Sequence, residues 1–131
     1  MSRPDPLSET AADWLARAKG KLALASVSLP PGGYLEDLCF CAQQAAELAI
    51  KAVYLQQGWT FAYIHDLGRL LDELEQQGMQ IPPEVQEADQ LSLYAVQTRY
   101  PGTYTPITRA EYADALSTAM AVVAWAERLI S

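Results

Sequence analysis

Arg99 is open to two chemical uses. It stands beside Tyr100 and Pro101, where an amphipathic stretch gives way to a loop. Its guanidinium can cap the carbonyls of a helix end or clamp a phosphate through paired N–H bonds. Glu47 and Lys51 lie four residues apart in the favourable order for an ion pair on a helix. Lys51 is then either an ordinary surface partner of Glu47 or shares a positive cleft with Arg99. Tyr104 is either a loop aromatic that covers the core or a hydroxyl beside the guanidinium. His65, the single histidine, reads as a helix-start residue, and Gln43 and Gln44 as solvated or packed at an interface. Cys39 and Cys41 would point about 200° apart on a helix, so they cannot pair with each other. With one distant histidine they make a poor zinc set. They read as two small buried apolar residues in a reducing cytoplasm, and no metal or cofactor is expected.

Five helical segments must position these residues, and no convincing strand appears. The first is expected from about Glu9 to Ser28. Thr10 and Asp13 resemble a capping box, and Leu15, Ala18, Leu22 and Ala25 recur at helical spacing. Pro30-Pro31-Gly32-Gly33 stops it. The second is expected from Tyr34 to Gln57, with Gly58 as a C-terminal cap. Its Ala42, Ala45, Ala46, Ala49 and Ala52 would let another helix approach closely. The third opens at His65 or Asp66 and carries a stripe of Leu67, Leu70, Leu71 and Leu74. The fourth is expected from Pro82-Pro83 to about Thr98. The fifth runs from Arg109 to about Ile130 behind the capping box Thr108-x-x-Glu111. The expected fold is all-α: an up-and-down helical bundle of four main helices plus a shorter one.

Length and composition bound what such a bundle can do. The 131 residues suit one domain with its own core. No apolar run approaches the roughly 20 residues of a membrane span. The N-terminal Met1-Ser2-Arg3-Pro4-Asp5-Pro6 has no apolar core for a secretory signal, so a cytoplasmic protein is expected. A net charge of −7 argues against a broad basic surface for duplex nucleic acid, though not against one local positive site.

Three pieces in order resemble the HEPN family, the nucleotide-binding domain of higher eukaryotes and prokaryotes. Cys39-Phe40-Cys41-Ala42-Gln43-Gln44-Ala45-Ala46-Glu47-Leu48-Ala49-Ile50-Lys51-Ala52 resembles the family's second helix. His65-Asp66-Leu67 opens a Leu-rich helix after a short loop, and Arg99-Tyr100-Pro101 follows an amphipathic helix. The resemblance covers residues 10 to 130 as a single helical domain. It implies a small bundle that commonly dimerises and often works beside a minimal nucleotidyltransferase, as a toxin–antitoxin pair. It also implies that Arg99, Lys51, Tyr104 and Glu47 contact a nucleotide or single-stranded RNA. Tyr104 could accept a nucleotide from the partner enzyme.

Catalytic members of that family are metal-independent ribonucleases with an Arg, four to six residues, then His. The His moves protons at the 2′-hydroxyl and the leaving oxygen, while the Arg stabilises charge on the phosphoryl group. Here Arg99 matches, but Tyr104, Thr105 and Pro106 stand where the His would follow. Tyrosine ordinarily titrates near ~10 and is a poor replacement. Three functions remain open: a dimeric binding module with a nucleotidyltransferase partner, a ribonuclease with a non-standard acid/base, and a structural dimer without ligand. The first is favoured by the resemblance and by the missing His.

Overall fold

The computed structural model describes residues 9–95 and 106–130. It is all-helical. α1 spans Ala11–Ala25, α2 Leu35–Gln57, α3 Leu67–Gln76, α4 Pro83–Gln86 and α5 Arg109–Leu129, with a 3₁₀ segment over Glu87–Ala95 between α4 and α5. Among the described residues there is no strand. No described helix is long and apolar enough to cross a membrane.

The helix ends follow local chemistry. Thr10 and Asp13 close a reciprocal capping box on α1, and Thr108 and Glu111 do the same on α5. Asp66 accepts from the Arg69 amide at the start of α3. Gly58 takes the left-handed conformation (φ 75°) that ends α2, which glycine adopts without the Cβ clash other residues meet.

α2 is the central element, and α1, α3, α5 and the 3₁₀ segment all pack on it. Its five alanines, Ala42, Ala45, Ala46, Ala49 and Ala52, are completely buried within the single chain. The close approach they permit is therefore made inside the bundle, and these alanines are unavailable to a second copy. Polar contacts then tie the elements together. The Tyr54 hydroxyl donates to the Leu70 carbonyl, linking α2 to α3. Tyr112 donates to the Ala25 carbonyl, linking α5 to α1. Buried Glu36 accepts the Ile107 amide at 3.0 Å, fixing the chain just before α5.

The fourth helix departs from expectation. Only four residues are α-helical, and the chain then tightens into the 3₁₀ segment, while Thr98 lies outside the described residues. The apolar residues accommodate this, and contacts with α3 fix it. Val85, Ala88 and Leu91 are buried and Tyr94 half-buried, at a spacing of three, and Ala95 is buried beside them. That spacing lines one face at three residues per turn, but drifts around an α-helix. Two contacts hold the segment against α3. Ser92 accepts the Leu67 amide at 2.8 Å, and Gly68 lies so close that a Cβ there would meet the Asp89 Cβ at 2.9 Å.

Candidate functional site

One face of α2 carries Gln43, Glu47 and Lys51 at successive intervals of four, which stacks the three side chains. Lys51 donates to Glu47 Oε2 at 3.0 Å and the Gln43 amide to Oε1 at 2.8 Å. After Gly58 the chain doubles back along α2. Phe61 lies under the Lys51 ammonium, 5.3 Å from its ring centre, and meets Trp14 and Tyr54 edge to face. Four residues later His65 brings Nδ1 to Glu47 Oε1 at 2.8 Å. The carboxylate thus has three partners from two separate stretches of chain.

Burial pushes the Glu47 carboxyl up, but the contacts from His65, Lys51 and Gln43 outweigh it and hold it below its ordinary value. An ionised carboxylate accepts only, so His65 donates Nδ1–H and a neutral ring leaves Nε2 as an acceptor. The His65 side chain is 71% exposed and Glu47 only 14%. Nε2 is therefore the accessible end of an otherwise enclosed network.

The network opens into a groove of about 790 Å³ between α1 and α2. Gln43, Gln44, Glu47 and His65 lie on one side, Arg17 and Lys21 on the other, with Leu24, Phe40 and Leu48 as apolar lining. Arg17 pairs with Glu9 at 2.7 Å. Lys21 is half-exposed and, among the described residues, has no carboxylate at ion-pair distance. Gly20 also lines the groove, and a Cβ there would meet nothing within 4 Å. Ala95, four residues before Arg99, completes the described rim. Among the described residues no three His, Cys, Asp or Glu side chains group as a metal set.

Several expectations change here. Lys51 is no surface residue: its side chain is 8% exposed, and it supports Glu47 from behind instead of lining the groove. Gln43 is fully buried and neither solvated nor interfacial, because its amide completes the Glu47 network. His65 precedes the capping Asp66 and reaches Glu47 within its own chain. Cys39 is buried as expected, but Cys41 is only half-buried. Arg99, Tyr100, Pro101 and Tyr104 lie outside the described residues. Sequence reasoning missed Arg17 and Lys21, although Arg17, Gly20, Lys21 and Leu24 share one face of a helix by their spacing. It also missed the Glu47–His65 contact, which spans 18 residues and has no local signature.

The arrangement of helices in this bundle has known relatives. The chain belongs to the HEPN domain family, whose profile matches residues 11–129. A crystal structure of TT1696 from Thermus thermophilus is similar, with 36% identity and a TM-score of 0.79 over 91% of this chain and 97% of that one. The structure of ST0689, an archaeal HEPN homologue, is also similar, with 26% identity and a TM-score of 0.74 over 94% and 99% of the two chains. No curated protein matches the chain.

Proposed function

We propose that this chain is a HEPN binding module whose α1–α2 groove holds the phosphate of a nucleotide or of single-stranded RNA. The observation that carries this reading is Lys21, a half-exposed cation without an ion-pair partner among the described residues, facing polar Gln44 and His65 across the groove. Arg17 adds a second positive charge, and Arg99 is proposed as a third, bidentate phosphate contact. Lys51 contributes through Glu47. The module acts as a homodimer beside a minimal nucleotidyltransferase, in a toxin–antitoxin type pair, with Tyr104 as the acceptor of a transferred nucleotide. Family membership supports these last assignments.

At −7 net charge, attraction must come from the local groove and not from the global field. Fluorescence anisotropy with labelled single-stranded RNA, and calorimetry with AMP and ATP, should give weak binding that falls with salt. The fall should be shallower than for a protein making many phosphate contacts. Lys21→Ala and Arg99→Ala should each weaken binding without lowering the melting temperature. Gly20→Trp should plug the groove. Unchanged affinity in the Lys21→Ala, Arg99→Ala double variant would overturn the groove reading. Nucleotide addition by a co-expressed nucleotidyltransferase should appear by mass spectrometry on Tyr104 and vanish in Tyr104→Phe. Addition elsewhere would reject that acceptor.

A further inference from the structure

We propose that His65 is a proton-linked anion ligand that makes the groove selective for a terminal phosphomonoester over an internal phosphodiester. This rests on the reading that phosphate lies in the groove, and it goes on to say which phosphate. Groove charge, the fixed pose of the ring and its access carry it.

Among the described residues, Arg17, Lys21 and Glu47 are the charged side chains that line the groove, and two of them already have a partner. Arg17 pairs with Glu9 at 2.7 Å, and Lys51 pairs with Glu47 from behind at 3.0 Å. Lys21 is the spare cation. One spare positive charge matches a phosphodiester, which carries a single negative charge. A monoester at neutral pH carries close to two, since its second proton leaves near pH ~6. A second spare charge is then needed, and His65 is the described lining residue that can acquire one.

The ring is held so that one nitrogen can do this. Glu47 Oε1 holds Nδ1 at 2.8 Å, and Gln43 and Lys51 hold Glu47 in turn. Nδ1–H is committed to the carboxylate, so Nε2 is the atom that gains a proton and donates it. The side chain is 71% exposed on the groove wall opposite Lys21 and Arg17. A dianion between the walls accepts from protonated Nε2 and from the Lys21 ammonium, and both bonds are charge-assisted. The ring takes one proton from solvent as the dianion binds and returns it on release, and no bond to phosphorus changes. From α2 the ring meets Glu47, with Lys51 behind it, and from α1 it faces Arg17 and Lys21. Asp66, the next residue, turns its carboxylate to the Arg69 amide at 3.1 Å. The 3₁₀ segment adds only uncharged Ala95 to the described rim. The contacts on Glu47 hold its carboxyl below the ordinary value, so it stays ionised at neutral pH. Burial pushes up the Cys41 thiol, which feels Lys21.

Calorimetric titration of the full chain with AMP, in two buffers of different ionisation enthalpy at about pH 7.5, reads proton uptake directly. The wild type should take up a fraction of a proton per AMP bound. Its affinity should fall about fivefold between about pH 7 and about pH 8.5, where the phosphate of AMP is already largely a dianion. AMP should bind about tenfold tighter than its 5′-methyl ester, the same nucleotide with one negative charge fewer. His65→Gln should abolish the uptake, the pH dependence and the preference together, with little change in melting temperature. His65→Arg, a fixed cation, should restore tight AMP binding without the pH dependence. Uptake or ester discrimination that persists in His65→Gln overturns the proposal, as does AMP binding by the wild type without uptake. Single-stranded RNA binding with no AMP binding also overturns it and leaves the groove reading standing. Failure of the wild type to bind either ligand overturns the groove reading with it.

Discussion

Glu47 shows how a single residue changes meaning with its surroundings. Its carboxyl is held below the ordinary value of 4.5, since contacts from His65, Lys51 and Gln43 outweigh burial. The unfolded chain therefore binds a proton at a pH where the folded chain does not. The stability this contributes is present in full above about pH 4.5 and is lost as pH falls through the lower folded value. Urea denaturation between about pH 6 and about pH 3 should show a steeper loss for the wild type than for Glu47→Gln. Lys51→Met should cost about 1–3 kcal/mol, below the usual cost of breaking a buried pair, because two partners of Glu47 remain. Urea midpoints at neutral pH would measure it. Cys39 offers a second residue-scale reading. Burial, reinforced by Glu36 and Glu111, pushes its thiol up to about 12. Iodoacetamide at about pH 8 should leave Cys39 unmodified until denaturant is added, and peptide mass spectrometry would locate the label.

Two glycines give opposite expectations among the elements. Alanine is favoured over glycine inside a helix by about 1 kcal/mol. At Gly20, an exposed position of α1, a Cβ meets nothing within 4 Å, so Gly20→Ala should raise the melting temperature by a few degrees. At Gly68, in α3, the same methyl would meet the Asp89 Cβ at 2.9 Å. The 3₁₀ segment must shift, straining the Ser92 contact to the Leu67 amide, and steric cost outweighs helix propensity. Gly68→Ala should therefore lower the melting temperature. A pair of thermal melts decides both. Equal gains at the two positions would mean that α3 and the 3₁₀ segment do not pack as described.

Across the molecule as a whole, the alanine face of α2 separates folding from association. Because Ala42, Ala45, Ala46, Ala49 and Ala52 are buried inside one chain, Ala46→Leu should overpack the core and cost about 1–3 kcal/mol. It should do so at every protein concentration. The proposed homodimer must instead use surface that one chain leaves open outside the groove, such as exposed Val27, Leu93 or Met120. Light scattering at tens of micromolar should give about twice the 14.4 kDa of one chain. A monomer under those conditions would remove the homodimer from the proposed function while leaving the groove intact.

Residue order alone specifies the all-α bundle, both capping boxes, the Gly58 stop and the Leu stripe of α3, because each is written in residues within a turn or two of one another. The family was legible for the same reason, from the run Cys39 to Ala52 and from His65-Asp66-Leu67. The apolar positions Val85, Ala88, Leu91 and Ala95 also stand in the sequence, but steps of three and four fit either helix type over a short stretch. Only the packing of Gly68 on Asp89 and the reach of Ser92 to Leu67 selected the tighter one. The groove was the least legible feature. Glu47 and Lys51 looked like a surface pair, since an i,i+4 spacing is the same whether the face is wet or covered. Packing in three dimensions closes Phe61 over the lysine, turns Gln43 inward, and returns His65 to the carboxylate from 18 residues away. Such contacts depend on how a loop folds back across a helix, and neither periodicity nor capping chemistry encodes that.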